Sequence, residues 1–281
     1  MNKKELAKRT ISGVILGPIV VFSFLTYPTL LGLVTAIVMI SSFELIEMFT
    51  SDFKKPLIKF LLTFIVGASS LVYGFALEAE SRGILPFEAE VTFFLGFVIC
   101  VILTLATVKD IKYTKRFIES SALSLLYVSF FLSHFYLIQM NYGAGLAIMA
   151  LTSVWAYDAG AFFIGSKFGK HKLSPHFSPK KSWEGLIGGI VFTFVYLFIF
   201  ESIGHFFSLM SKMNVLQMLI LAIMVGIFDT IGDLMESVIK RYYNVKDSSK
   251  ILPGHGGMLD RIDGLLIATP MWYLLLSILG I

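Results

Sequence analysis

Nine apolar stretches divide this chain, at residues 11–27, 29–48, 57–77, 91–108, 121–139, 142–164, 185–203, 215–238 and 264–281. Each is close to or beyond the length at which a helix crosses a hydrocarbon core about 30 Å thick. The predicted fold class is therefore all-α, a polytopic integral membrane protein with about nine transmembrane helices. Apolar residues make up 56% of the chain and charged residues only 15%. Counting Gly in place of Tyr raises the apolar share to roughly 60%, against about 45–50% in soluble domains. So few charges cannot cover a soluble globule of this size. The single cysteine, Cys100, lies in an apolar run and can form no intramolecular bridge.

The basic residues orient the spans. Threading nine helices from a cytoplasmic amino terminus leaves 21 of the 23 Lys and Arg inside and only Arg82 and Lys212 outside, as the positive-inside rule requires. One missed or invented span would scramble that alternation, so the carboxyl terminus is expected to be external. The basic start, Lys3, Lys4, Lys8 and Arg9, resembles that of a signal peptide. A second span follows at once, however, and no small-x-small cleavage site is evident, so the first is read as retained. The net charge of +4 then records topology, and no nucleic acid partner is expected. Two regions differ in chemistry: residues 1–120, nearly featureless, hold spans one to four. Residues 121–281 form the expected catalytic membrane domain, with spans five to nine and inner loops 165–184 and 239–263.

Ionisable residues inside spans are costly and face a protein interior or water. Asp229, Asp233 and Glu236 recur at i, i+4 and i+7 in the eighth span, which sets them on one helical face. Asp158 lies at a corresponding depth in the sixth span, and Asp260 and Asp263 stand where the ninth begins. Carboxylates gathered this way repel one another unless a cation sits among them, and oxygen donors suit a hard divalent ion such as Mg²⁺. Pairing with nearby Lys and Arg is the competing reading. Glu44 and Glu47 read as interfacial or packing residues. His171, His176 and His255 have no compact metal-ligand spacing and no accompanying cysteine, so zinc is not expected.

The inner loops supply the opposite charge. Lys167-Phe168-Gly169-Lys170-His171-Lys172 precedes Ser178-Pro179-Lys180-Lys181-Ser182-Trp183-Glu184-Gly185. Small and turn-forming residues let backbone N–H groups approach an anion while lysines neutralise phosphate. An ordinary basic loop at anionic headgroups is the alternative, but it does not call for the ordered Ser, Pro, Trp and Gly. Pro253-Gly254-His255-Gly256-Gly257 reads as an anion-binding turn leading to Asp260.

Ser237-Val238-Ile239-Lys240-Arg241, then Lys246-Asp247, then Pro253-Gly254-His255-Gly256-Gly257-Met258-Leu259-Asp260-Arg261-Ile262-Asp263 closely resembles the signature of the phosphatidate cytidylyltransferases, the CDP-diacylglycerol synthases. Ser178 to Gly185 and Gly232-Asp233 are also similar to that family, so the resemblance covers roughly Trp155 to the end. In Asp158-Ala159-Gly160, Ala stands where Ser or Thr is the commoner residue. The resemblance implies that CTP and phosphatidate give CDP-diacylglycerol and pyrophosphate with a divalent metal, at the cytoplasmic face of a bacterial cell (inner) membrane. Phosphatidate brings its own ionised nucleophile, so positioning and charge neutralisation are what the protein must supply.

On that reading Asp233, Asp260, Lys240 and Arg261 are the expected catalytic groups. Asp233 and Asp260 are the principal metal ligands, and Asp229 and Asp263 supporting or alternate ones. Lys167, Lys180, Lys181, Arg241 and Lys246 are candidates for phosphate contacts, with Ser178, Ser182, His255, Gly256 and Gly257 as further substrate-binding positions. Membrane lipid is the expected surrounding and a homodimer paired through apolar spans the expected assembly. Two other activities fit parts of the pattern. A CTP-dependent lipid kinase would release CDP instead of pyrophosphate. A cation-coupled transporter would place its acids nearer the midplane and commonly shows an inverted repeat.

Overall fold

The computed structural model describes residues 16–206, 213–252 and 256–281. After a helical stretch at 16–23 come α1 (Tyr27–Phe49), α2 (Pro56–Ser81), α3 (Val91–Thr107) and α4 (Ile111–Leu123). A π-helical segment, Ser124–Phe130, leads on to α5 (His134–Phe168). Two short strands follow, β1 (Lys172–Ser174) and β2 (Ser178–Ser182), then α6 (Trp183–Phe206), α7 (Val215–Tyr242) and α8 (Leu259–Leu279). The described chain is all-α but for this hairpin.

Local chemistry sets several boundaries. Proline in the first turn starts α1 and α2, where its missing N–H leaves no further bond unmade. The Asp110 side chain accepts from the Lys112 and Tyr113 amides at 2.8 and 3.3 Å and caps α4. Within α5, Gly143 has φ 86°, a conformation glycine adopts without a Cβ penalty. That kink falls at the start of the sixth predicted span, 142–164, and the fifth and sixth predicted spans lie together within the run Ile111–Phe168. The fifth begins earlier than the apolar run suggests, because the amphipathic turns of α4 continue directly into the π-helical segment.

Six helical stretches among the described residues are long and apolar enough to cross a membrane: α1, α2, the run Ile111–Phe168, Trp183–Gly204 within α6, α7 and α8. Helix α3 is apolar but shorter. Part of the first predicted span, residues 11–15, lies outside the described residues. Exposed Ile187, Val191, Val195, Ile199 and Ile203 form an i, i+4 stripe on α6, suited to lipid rather than water.

The chain forms two compact units that are not sequential halves. The first comprises the described residues up to Tyr136 together with Tyr243–Arg261, and the second comprises Leu137–Tyr242 together with Ile262–Ile281. In the first, Tyr27 Oη donates to the Gly74 carbonyl at 2.8 Å and Ser70 joins the hydroxyls of Ser133 and Tyr136. The Phe53 ring meets Phe117 edge-on and Tyr113 at a tilt. In the second, glycines allow close helix approach, as small residues do between membrane helices. A methyl at Gly160 would meet Phe192, and one at Gly189 would meet Tyr157. Polar pairs cross the same helices: Tyr157 with Thr230 at 2.6 Å, Thr152 with Tyr196 at 2.5 Å, and Trp272 Nε1 donating to Ser153 at 3.2 Å.

Candidate active site

The second unit contains a cavity of about 510 Å³. Its cationic rim comes from the hairpin, where Lys172 pairs in register with Ser182 and Ser174 with Ser178. The hairpin base is fixed on α6. The Trp183 amide donates to the His171 carbonyl at 3.0 Å, and the Glu184 carboxylate accepts from the His171 amide and contacts its ring at 2.6 Å. Ser182 stands just before α6 and is buried. Its hydroxyl accepts from the Gly185 amide at 3.1 Å, an N-cap that satisfies one of the donors a helix start leaves over. Gly165, Gly169 and Gly185 crowd this hydroxyl, and a methyl at Gly169 would come within 2.6 Å of it. The serine and glycines thus seat the lysine strand against α5 and α6.

Lys172, Lys180 and Lys181 line the cavity together with Asp158, Asp233, Tyr157 and Thr230, and Phe162, Leu173 and Leu186 give it apolar wall. Lys181 Nζ lies 2.8 Å from Asp233 Oδ2, while Asp233 Oδ1 accepts from Ser237 at 3.2 Å. One turn before Asp233, Asp229 is buried at the crossing of α7 and α8. A methyl at Gly264 would stand 1.8 Å from its carboxylate, and one at Gly232 would stand 2.3 Å from the Asp263 carbonyl oxygen. Only glycines permit this approach. Asp229 feels the negative charges of Asp158, Asp263 and Asp233 against the positive charge of Lys181. Asp263 feels Asp233 and Asp158 against Lys240, itself held in a buried ion pair with Glu236.

These side chains are oxygen donors with more negative than positive charge, which suits a hard divalent cation. No three Asp, Glu, His or Cys side chains among the described residues stand in a ready-made metal-binding arrangement. Lys181 occupies one Asp233 oxygen instead.

The signature segment in the first unit is organised differently. Gly256, at φ 83°, pairs with Leu252, and a methyl there would come within 2.9 Å of Asp260. Asp260 Oδ2 accepts from the Ser248 amide at 2.9 Å, the Ser248 hydroxyl at 3.1 Å and the Gly257 amide at 2.8 Å. Buried Glu44 reaches the same segment from α1. It accepts from the hydroxyls of Ser248 and Ser249 and from the amides of Met258 and Leu259, at 2.5–2.9 Å. Of the turn read as an anion cradle, Gly257 has its N–H engaged by Asp260, and the Met258 and Leu259 amides that follow it are engaged by Glu44.

Of the residues singled out from sequence, Lys180, Lys181, Ser182 and Asp233 meet at the cavity, and Asp229 and Asp263 lie with Asp233 in the α7–α8 crossing. Lys240 is buried beside Glu236. Lys167, Ser178 and Arg241 are not on the cavity wall; Lys167 packs over the Phe168 ring. Asp260, Arg261, Lys246, Gly256 and Gly257 belong to the first unit, and His255 lies outside the described residues. Sequence reasoning missed Lys172, whose place follows only from the strand register, and Glu44. The signal for Glu44 was present, since an acid in an apolar span is the same anomaly that marked Asp229.

The sequence profile of the cytidylyltransferase family matches residues 7–279. The phosphatidate cytidylyltransferase of Thermotoga maritima is 38% identical over 275 residues, 98% of this chain and 97% of that protein. The enzyme of the same name from Bacillus subtilis is 36% identical over 182 residues, 63% of this chain and 66% of that protein. That of Haemophilus influenzae is 45% identical over 131 residues, 47% of this chain and 45% of that protein.

Proposed function

Because the chain belongs to the cytidylyltransferase family, we propose that the lysine-rimmed, acid-floored cavity of its second unit is where its reaction takes place. That reaction transfers the cytidylyl group of CTP to phosphatidate, giving CDP-diacylglycerol and pyrophosphate. The observation that carries the assignment is the meeting of Lys172, Lys180 and Lys181 with Asp158 and Asp233 around one apolar-walled space. Lysines neutralise a triphosphate as point charges. Phe162 and Leu186 suit acyl chains that stay in hydrocarbon while the headgroup reaches the lysines.

A phosphatidate oxygen attacks the α-phosphorus of CTP, a P–O bond forms, and the bond to the departing pyrophosphate breaks. The nucleophile arrives ionised, so no side chain need remove a proton. Lys172, Lys180 and Lys181 hold and orient the phosphates, and Ser182 fixes the strand that bears two of them. Asp229, Asp233 and Asp263 would hold Mg²⁺, which when bound supplies neutralisation of developing phosphate charge. Lys181, paired with Asp233 at 2.8 Å, would have to release that carboxylate to contact phosphate. The signature motif alone assigns Asp260 and Arg261 to the reaction.

Nine spans, a cytoplasmic amino terminus, an external carboxyl terminus and a cytoplasmic active site in a bacterial membrane belong to the same proposal. The 21 basic residues on one side of the threading, the six long apolar helical stretches and the bacterial relatives support it. Incubating the purified protein with CTP, Mg²⁺ and phosphatidate tests the reaction. Pyrophosphate and CDP-diacylglycerol are expected in equal amounts, and release of CDP in place of pyrophosphate would contradict it.

A further inference from the structure

The signature segment carries Asp260 and Arg261, yet what fixes its shape is an acid more than two hundred residues earlier. We propose that Glu44 is a positioning residue for the reaction, holding Ser248, Ser249, Met258 and Leu259 in the one arrangement that orients Asp260. This rests on the assignment of Asp260 to the chemistry and adds a residue from the nearly featureless amino-terminal spans.

The geometry is specific to a carboxylate. Glu44 Oε1 accepts from the Ser249 hydroxyl at 2.5 Å and the Met258 amide at 2.9 Å, and Oε2 accepts from the Ser248 hydroxyl at 2.9 Å and the Leu259 amide at 2.8 Å. Each oxygen therefore faces one backbone N–H. A glutamine here must turn its NH₂ group towards one of those amides whichever way it flips, setting donor against donor in a buried site. Met258 and Leu259 also open α8, where a helix has N–H groups without intrahelical partners and favours negative charge. Glu44 thus closes the start of the helix that bears Asp260.

Ser248 extends the linkage. Its hydroxyl lies between Glu44 Oε2 and Asp260 Oδ2, at 2.9 and 3.1 Å, while its amide donates to Asp260 at 2.9 Å. The two glycines make room: a methyl at Gly257 would come within 1.9 Å of the Ser248 hydroxyl and 2.7 Å of Glu44. The pair Gly256-Gly257 serves this junction through a left-handed turn at the first and close packing at the second. Neighbouring Glu47 pairs instead with Lys59 at 2.8 Å.

The test compares Glu44→Gln, Glu47→Gln and Asp260→Asn in the full-length protein in detergent micelles with phosphatidate. Glu44→Gln is expected to lower kcat about 10–100-fold, the range for partners that orient a catalytic ligand, with KM for CTP changed by less than about threefold. Amide hydrogen exchange across 257–261 should quicken at least tenfold while helices α6 and α7 keep wild-type protection. Glu47→Gln should match the wild type in both readouts. A wild-type kcat in Glu44→Gln, or a lower kcat with unchanged exchange at 257–261, overturns the inference. Should Glu44→Gln fail to fold, the paired change Ser248→Ala and Ser249→Ala removes two donors and keeps the carboxylate. A loss of three- to tenfold in kcat with local exchange then supports the inference, and wild-type kcat overturns it. Activity in Asp260→Asn equal to wild type would instead remove the assignment of Asp260 on which the inference stands.

Discussion

Two groups of carboxylates, one in each compact unit, are treated in opposite ways. In the first unit Glu44 and Asp260 accept from amides and hydroxyls of Ser248, Ser249, Gly257, Met258 and Leu259. In the second, Asp229, Asp233 and Asp263 face one another and Asp158, with Lys181 and Lys240 as opposing charges. Neutral donors stabilise a carboxylate locally and fix backbone shape. Like charges held close store a demand for positive charge that a cation and its phosphate ligands can meet. On the proposed reading, the first arrangement positions and the second receives.

The largest expected effect falls on the receiving group. Asp233→Asn should lower kcat on the order of 10²–10³, as loss of a preorganised electrostatic group does, measured as pyrophosphate release. If it fell no further than Glu44→Gln, the distinction between the two groups would collapse. Lys181→Ala comes next, with a loss of about 10–100-fold as the partner of a carboxylate proposed to hold metal, seen chiefly in kcat/KM for CTP. A larger loss in Lys180→Ala than in Lys181→Ala would shift the weight from the Asp233 pair to the rim.

Steric changes sharpen the comparison without altering charge. Gly264→Ala drives a methyl into Asp229, and Gly257→Ala drives one into Ser248 and Glu44. Each should cost about 1–3 kcal/mol, as overpacking does, read as a lower thermal midpoint in detergent. At the small end, Lys167→Ala should change activity by less than about twofold, since exposed substitutions away from such features stay within about 0.5 kcal/mol. A tenfold loss there would move the phosphate site beyond the cavity wall.

The apolar runs and the signature made the helices and the reaction class readable from the chain itself. The i, i+4, i+7 spacing of Asp229, Asp233 and Glu236 also announced a shared face, although Glu236 proves to be tied to Lys240. The hairpin was not legible, because Lys172–Ser174 and Ser178–Ser182 are short polar strands without the alternation that marks a half-buried sheet. Its register is what brings Lys172 to the cavity. Glu44 stood out as an acid in an apolar span, but its contacts did not. Its partners lie more than two hundred residues away, and nothing in the local sequence of α1 records a contact of that range. Gly256 and Gly257 read as an anion cradle, and the anions engaged there are the chain's own.

Central to the proposed function is uptake of the divalent cation by the acids of the second unit. The most direct measurement is pyrophosphate release as a function of Mg²⁺ concentration, with saturating CTP and phosphatidate, for the wild type, Asp229→Asn and Asp233→Asn. The account predicts turnover that saturates with Mg²⁺ in the wild type and a loss in both variants that no Mg²⁺ concentration restores in full. Near-normal turnover in either variant, with an unchanged Mg²⁺ dependence, would contradict it.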